Sequence, residues 1–493
     1  MIPYIISSFR GGVSDESDKG IAGSYKLGYG LDIHKRDDTL TAEQAMQTVE
    51  ETMTDLVNFF VPASDGTTYC FGSTGSIWAR SGNVGDNAWN FVYGDENGRI
   101  TGAAEWKLSD GNNYLYWATA TSVARVLMNG SLPAPWGAGV ATQDYKTTLE
   151  SSGDIDWHTM QAASGALMIA NGPYVAMIDY NGNFNASQMN VRPGNILKCI
   201  EERDDYAVLG STRKDQSEEG HIWSWTITAN NYVQKKKVPV KGVNALIHAE
   251  LALLQGGSNG ELFLSDFVNA TPLAKLPDGD GQVAPSGTTI DNDLASFGFF
   301  GTDYPGIWRY GRRMKNRPHV FDYGYRLAKS VSGSAVATIG AIAMINGELL
   351  ASWITRDDSI EDYGVDCSSS TTKATAVYEG LEFTNNSPQS TKLFESVKLT
   401  LSPMPASTSV AVKYKMNKAT TGGDSSANAG FKYAVTGSGA TTFGITGATE
   451  AEFKISQEAR VYECGVELFP AVNDSPEVLS IITSFNEQTK QHG

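Results

Sequence analysis

A hairpin pattern recurs along this chain at an almost constant step. Each unit carries a strand, a turn built on Asp-Gly or Asn-Gly, and a second strand that often ends in Ile-Trp or an equivalent apolar pair. The units centre on Tyr69, Tyr114, Leu167, Tyr206, Leu251, Phe297 and Ile342, spaced roughly 40 to 50 residues apart, the period of a four-stranded propeller blade. Asp65-Gly66, Asp110-Gly111, Asn171-Gly172 and Asn346-Gly347 sit between alternating apolar runs, where both central positions can take positive φ. The expected fold class is therefore all-β: a β-propeller of about seven blades, followed by a small jelly-roll-like β-sandwich.

Domain limits follow from where the pattern starts and stops. Residues 1–50 read as an extended, glycine-rich N-terminal arm in which Tyr25, Leu27, Tyr29, Leu31 and Ile33 alternate as in a strand. Thr41 to Val57 is rich in helix formers, while Leu56 to Val61 reads as the first core strand. Residues 51–365 carry the blades, with the unit near Ala245 to Ser265 the least regular. Ser368 to Thr372 reads as a polar linker. Residues 373–493 give strands of a different spacing, suited to the sandwich, with loops at Thr420 to Asn428 and Gly437 to Gly447. With 493 residues, the chain is too long for one core, since cores stop growing near roughly 300 residues.

Charge and cysteine usage exclude several classes. A formal net charge of −17 opposes sequence-specific nucleic-acid binding, which needs clustered Lys and Arg. Cys70, Cys199, Cys367 and Cys464 lack CxxC spacing and read as buried small hydrophobes, neither a disulfide framework nor a zinc site. No apolar run reaches the length of a membrane span, and Met1 to Arg10 lacks the charged region and cleavage site of a signal peptide.

The chemistry-bearing residue types do not assemble into a catalytic motif. Arg309, Arg312, Arg313 and Arg317 cluster in sequence. A sialidase-type clamp gathers its arginines from separate blades, so these four read as a solvated or interface loop. His34, His158, His221, His248, His319 and His492 show no paired ligand spacing, and His158 beside Trp157 reads as a packed core residue. Asp278-Gly279-Asp280-Gly281 and the run Asp357, Asp358, Glu361, Asp362 read as solvated turns, not calcium loops. Gly28-Tyr29-Gly30 lies in a strand-like stretch, not before a phosphate-binding helix. Trp78, Trp117, Trp223 and Trp308 recur at equivalent strand positions and are assigned to packing between blades; Trp89 and Trp136, at loop tips, are the candidates for sugar stacking. Lys235-Lys236-Lys237 fits the exposed edge of a blade, where lysine discourages aggregation. No catalytic, metal-binding or cofactor-binding residue is assigned, and no cofactor is expected.

Several stretches carry a family likeness. The order GGVSD (from Gly11), KGIAGSY (from Lys19), GYGLDIH (from Gly28) and Leu40-Thr41 with Gln44, then DGTTYCFG (from Asp65) and GSIWAR (from Gly75), resembles uncharacterised virion proteins of tailed bacteriophages. Trp157-His158-Thr159-Met160, ALMIANG, RPGNILK, GELFLSD, YEGLEF and SPEV extend the likeness nearly end to end. The resemblance implies a non-enzymatic structural subunit of the tail or neck (nozzle, tail tip or fibre-attachment ring). Its expected partners are other virion proteins and copies of itself, with a host surface glycan or receptor as a further candidate. It would be made in the bacterial cytoplasm. The alternative is a carbohydrate- or receptor-binding adhesion module, with a propeller glycosidase ranked below it. Tyr4, Ile5, Ile6, Gly11, Gly12, Tyr25 and Tyr29 are the candidates for assembly contacts.

Overall fold

The computed structural model describes residues 2–487, apart from 15–21, 35–37, 82–88, 129–134, 164, 204–205, 216–218, 228, 249–250, 277–279, 302–303, 314, 316–317, 330–336, 358–359 and 422–429. The fold is all-β. The chain divides into two compact units, one formed by Met1–Met46, Ile307–Arg326 and Ser369–Gly493 and the other by Gln47–Gly306 and Leu327–Ser368.

The second unit is the propeller. It holds six four-stranded sheets, and one more, sixth in chain order, begins with Gln282–Asp291 and Leu294–Phe300. The first strands of the seven sheets are Val57–Pro62, Gly102–Lys107, Met160–Ala163, Asn195–Arg203, Val243–His248, Gln282–Asp291 and Ala337–Ile345. Each packs against the next, and the last packs against the first, which closes a ring of seven. Five of the seven slip register against their second strands: at Val57/Phe59, Leu197/Cys199, Val243/Ala245, Val283/Thr288 and Ile339/Ile342. Such bulges bend a strand and raise its twist, as a strand lining the inside of a ring requires. Tyr69, Tyr114, Leu167, Tyr206 and Phe297 fall on second strands, Leu251 directly precedes one, and Ile342 lies on a first strand.

Two expectations are corrected at the seventh sheet. Its order is Ala337–Ile345, Glu348–Asp357, Ile360–Lys373 and then Gln44–Met53. The helix formers after Thr41 thus lie in its outermost strand, because sheet pairing and the burial of Met53 (6% exposed) outweigh weak intrinsic propensity. Ser368 to Thr372 is not a linker but the end of a 14-residue strand. Ser368 Oγ accepts the Leu349 N–H at 2.9 Å, and Ser369 Oγ accepts the Thr372 N–H at 2.9 Å, so these hydroxyls are hydrogen-bonded in a buried setting.

The other unit is a two-sheet sandwich. One sheet runs Ile2–Ile6, Val478–Glu487, Lys392–Leu401, Glu450–Ala459, Val435–Thr436. The facing sheet contains Ser24–Tyr29, Ala376–Gly380, Tyr462–Phe469 and Ser409–Met416, with Val320–Tyr325 joined in parallel to Ser24–Tyr29 at Tyr323 and Tyr29. Phe394 stacks on Tyr462 at 4.5 Å in the shared core, beside fully buried Tyr25, Val412 and Val466. The N-terminal residues are therefore not a separate arm. Ile2–Ile6 pairs antiparallel with Val478–Glu487, and Ser24–Tyr29 pairs with Ala376–Gly380. The alternating apolar pattern from Tyr25 is satisfied within the chain, and the sandwich is assembled from three stretches of sequence where one was expected.

The hairpin turns separate into two kinds. Asn346 (φ 52°) and Gly347 (φ 81°) both take the left-handed conformation. In Asp65-Gly66 and Asp110-Gly111 only the glycine does, and the aspartate side chain instead accepts an N–H two residues ahead, from Thr67 at 2.8 Å and Asn112 at 2.9 Å.

Candidate functional site

The densest polar constellation lies in the sandwich unit and is centred on Arg309. Arg309 and Asp322 are directly opposed on the paired strands Gly306–Gly311 and Val320–Tyr325. Both side chains are buried, at 1% and 2% exposure. Arg309 Nε donates to Asp322 Oδ2 at 3.1 Å, Nη2 to Asp322 Oδ2 at 2.5 Å and to the Leu31 carbonyl at 3.0 Å, and Nη1 to Glu43 Oε2 at 2.5 Å. His34 Nε2 lies 2.8 Å from Asp322 Oδ1, and the His34 N–H donates to Asp32 Oδ1 at 3.2 Å. Arg313 reaches Asp32 and Glu43, each at 3.6 Å, from a half-exposed position. A cavity of about 250 Å³ adjoins, lined in part by Asp32, Glu43, Arg313 and Lys373.

Electrostatics make this network a pin. Burial pushes the Asp322 carboxyl up, but Arg309 and His34 outweigh it and hold the group at about 2. Burial likewise opposes ionisation of Glu43, and Arg309 with Arg313 overcomes it, so its pKa falls. Asp32 goes the other way: burial and the neighbouring Glu43 raise it against the pull of Arg313. The two carboxylates and the Leu31 carbonyl engage Nε, Nη1 and Nη2 of Arg309, leaving the guanidinium poorly placed to grip an anionic substrate. What the arrangement does is join Leu31, Asp32, His34 and Glu43 to Arg309, Arg313 and Asp322.

The expected solvated arginine loop is corrected for Arg309, which is buried because two acidic partners compensate its charge. Arg312 donates to the Lys315 carbonyl at 2.7 Å in an exposed turn, and Arg317 lies outside the described residues. One sequence signal marks the pin. GIWRYG and VFDYGY are consecutive apolar strands, each carrying one charge of opposite sign near its centre.

Of the assembly candidates, Tyr4, Ile5 and Ile6 lie on the edge strand Ile2–Ile6, opposite Thr483, Ile482 and Ile481. Tyr4 stacks on Phe383 at 3.9 Å, Ile6 packs against the core, and Ile5 is 55% exposed. Gly11 and Gly12 are required by internal packing: a Cβ on Gly11 would stand 2.2 Å from the Ser24 nitrogen. Gly12 has φ +69° and a Cβ there would stand 2.6 Å from the Phe321 carbonyl. Tyr25 is fully buried, which corrects its assignment as a contact for a neighbour. Tyr29 is partly buried, with the Arg326 guanidinium over its ring at 4.7 Å.

The remaining sequence candidates find structural surroundings. His158 is fully buried between Thr101 Oγ1 at 3.1 Å and the Glu150 carbonyl at 3.0 Å, and burial lowers it to about 4. Trp78, Trp117, Trp223 and Trp308 are buried, but Trp117 lies on a second strand and the other three on third strands, so their positions are not equivalent. Trp117 donates to Asp95 Oδ2 at 2.6 Å, and Trp353, which the repeat reading passed over, donates to Asp366 Oδ1 at 2.7 Å. Trp89 and Trp136 are each 6% exposed, which removes them as sugar platforms. Lys235 to Lys237 lie on the outermost strand of their sheet. All four cysteines are buried and unbridged, and burial raises each thiol. Asp278, Asp358 and most of Thr420 to Asn428 lie outside the described residues. Among the described residues, no group of three or more His, Cys, Asp or Glu is gathered as a metal site needs, and no helix is long and apolar enough to cross a membrane.

No protein-family model matches the chain, and no curated protein sequence does. Similar solved structures include the WD40 β-propeller domain of Doa1, at 12% identity over 65% of this chain and 96% of that one, with a TM-score of 0.39. The Cps50 (Swd1) β-propeller domain of Myceliophteria thermophila matches at 9% identity over 66% of this chain and all of that one, with a TM-score of 0.41. Raptor of Chaetomium thermophilum matches at 10% identity over 68% of this chain and 30% of that one, with a TM-score of 0.43. The propeller assignment itself stands on the sheet order and the closed ring of seven inner strands described above.

Proposed function

We propose that this chain is a non-enzymatic structural subunit of a tailed-phage virion, placed in the tail or neck and present in multiple copies. The observation that carries the reading is closure within each unit. The first and last strands of the chain pair with each other in the sandwich, and Gln44–Met53 supplies the outer strand of the propeller's seventh sheet. A part that transmits force is served by strands such as Ile2–Ile6, Val478–Glu487 and Gln44–Met53 that are each held by pairing within the chain, and the virion likeness read from the sequence adds the setting. Mass spectrometry of purified particles tests the proposal, with the chain expected in stoichiometric amount; its absence from the particles overturns it.

Self-association of copies has a natural starting point at the edge strand Ile2–Ile6, whose outer backbone groups have no strand partner among the described residues. Replacing Ile5 by aspartate is expected to leave the unfolding midpoint within about 2 °C, because surface changes usually stay within roughly 0.5 kcal/mol. The same change is expected to reduce the oligomer fraction measured by light scattering at least threefold. A receptor-binding role draws on a different feature, the described loop Gly437–Gly447, which is largely exposed and presents Ile445 at 61%.

A further inference from the structure

The propeller unit contains a cavity of about 300 Å³ lined from the ring's inner strands, at the small end of the usual range of roughly 300–1,000 Å³ for ligand pockets. Its walls combine apolar side chains, Phe59, Phe60, Met160, Ile200, Ile342 and Met344 among them, with polar groups. One ionisable acid, Glu201, sits among these walls on the strand Asn195–Arg203. Among the described residues no hydrogen bond or ion pair reaches its carboxyl. The strand Gln282–Asp291 bulges here: Val283 opposes Phe299 and Thr288 opposes Phe297, so Ala284 to Gly287 form an excursion that brings Pro285 and Ser286 to the cavity. Ser286 Oγ is buried and likewise has no partner. Three other polar lining side chains are used: Thr159 Oγ1 donates to the Lys198 carbonyl at 3.0 Å, Thr289 Oγ1 accepts the Met344 N–H at 3.1 Å, and Gln161 Nε2 donates to the Ala162 carbonyl at 3.2 Å; Thr288 also lines the cavity.

A recess that sets apolar side chains beside the unpaired Glu201 carboxyl and Ser286 hydroxyl is complementary to a group with an aliphatic body and a cationic, multiply donating head. We propose that this cavity binds a primary alkylammonium group, its chain against the apolar walls and its N–H donors directed to Glu201 and Ser286. An ammonium has three donors and no acceptor, and the half-buried Glu201 carboxylate beside it would gain a charge-assisted hydrogen bond. The site is independent of the scaffold role and of the Arg309 network.

Without a ligand, burial raises the Glu201 carboxyl to about 8. Cys199, the other titratable lining group, is raised to about 12 by burial and by Glu201, and stays neutral. The cavity receives no Asp, Glu, Lys, Arg or His from Val57–Pro62, Met160–Ala163, Gln282–Asp291 or Ala337–Ile345, and Lys198 and Glu202 flank the site on Glu201's own strand. Ammonium binding therefore requires Glu201 to lose its proton, and affinity rises with pH until that proton is gone.

Calorimetric titration of the full chain with n-butylammonium, and separately with Nα-acetyl-lysine N-methylamide, tests the site. The expected result is at least tenfold tighter binding at pH 9 than at pH 6.5, with n-butanol failing to compete. Glu201→Gln is expected to lose at least tenfold in affinity at pH 9 and to show no dependence on pH. Tighter binding of the lysine analogue than of butylammonium assigns the site to a partner's lysine side chain, and the reverse assigns it to a free amine. Absence of binding, equal binding by the wild type and Glu201→Gln, or a flat pH profile in the wild type overturns the proposal. The last readout needs no variant to fold.

Discussion

Arg309→Met is expected to destabilise the sandwich unit by about 4 kcal/mol, within the roughly 3–5 kcal/mol that follows when one partner of a buried ion pair is removed. Methionine preserves much of the apolar volume, so the loss isolates charge. Asp322 and Glu43 are left buried with the guanidinium gone, and the Leu31 carbonyl loses its donor. Arg309→Lys is expected to fall in between, because an ammonium keeps the charge but not the fork that meets Asp322 through Nε and Nη2. Arg313→Met provides the contrast at under about 1 kcal/mol, since its side chain is 37% exposed and its acidic partners are 3.6 Å away.

The same network sets an acid response with a definite sign. Asp322 and Glu43 have folded pKa values below those of ordinary carboxyls, so the native state binds fewer protons than the unfolded chain between the two. Their contribution is full above the ordinary carboxylate range and is lost as pH falls from near 4 toward the value of about 2 held by Asp322. Asp32, raised by burial, works against them and lessens the effect. The stability gap between wild type and Arg309→Met, measured by denaturant titration, should therefore narrow as pH falls from 5 to 2. A gap that stayed constant or widened would remove the network from the account.

The second large effect is expected at Gly364, where the seventh sheet of the propeller takes its outer strand. A Cβ at this position would stand 2.4 Å from the Glu50 carbonyl on Gln44–Met53, and 2.4 Å from Cζ2 of buried Trp353. Trp353 is itself held by Asp366, which also accepts the Ala328 N–H at 2.6 Å, so it has little room to turn aside. Gly364→Val is expected to cost about 3 kcal/mol, at the upper end of overpacking effects, and to loosen the closing strand. Amide exchange along Gln44–Met53 should accelerate at least tenfold, while exchange in Ala166–Asn171, a second strand of another sheet, should change little. Uniform acceleration across both would contradict a local closing role.

The hairpin repeat was legible because it depends on nearest-neighbour chemistry: alternation, Asp-Gly and Asn-Gly turns, and apolar second strands leave a mark at every unit. That Gln44 to Met53 is the outer strand of the seventh sheet was not legible, because it lies about 300 residues from its partner Ile360 to Lys373 and carries helix formers. Ser368 to Thr372 looked like a linker because its polarity is visible in sequence and its hydrogen bonds are not. Tyr25 and Tyr29 alternate as a strand should, but alternation does not name the partner, which proved to be Ala376–Gly380 of the same chain. Arg309 was read with its sequence neighbours, Arg312, Arg313 and Arg317, when its charge is balanced by Asp322 and by a glutamate 266 positions away. Glu201 carried no signal at all, since an acid in a strand becomes unusual only once its walls are known.

The proposed virion scaffold role is tested most directly by electron cryomicroscopy of intact phage particles purified from the source of this chain. The account predicts symmetry-related copies of a seven-bladed ring, each with its own two-sheet sandwich, in the tail or neck density. Particles with complete tail and neck density but no such ring would contradict it.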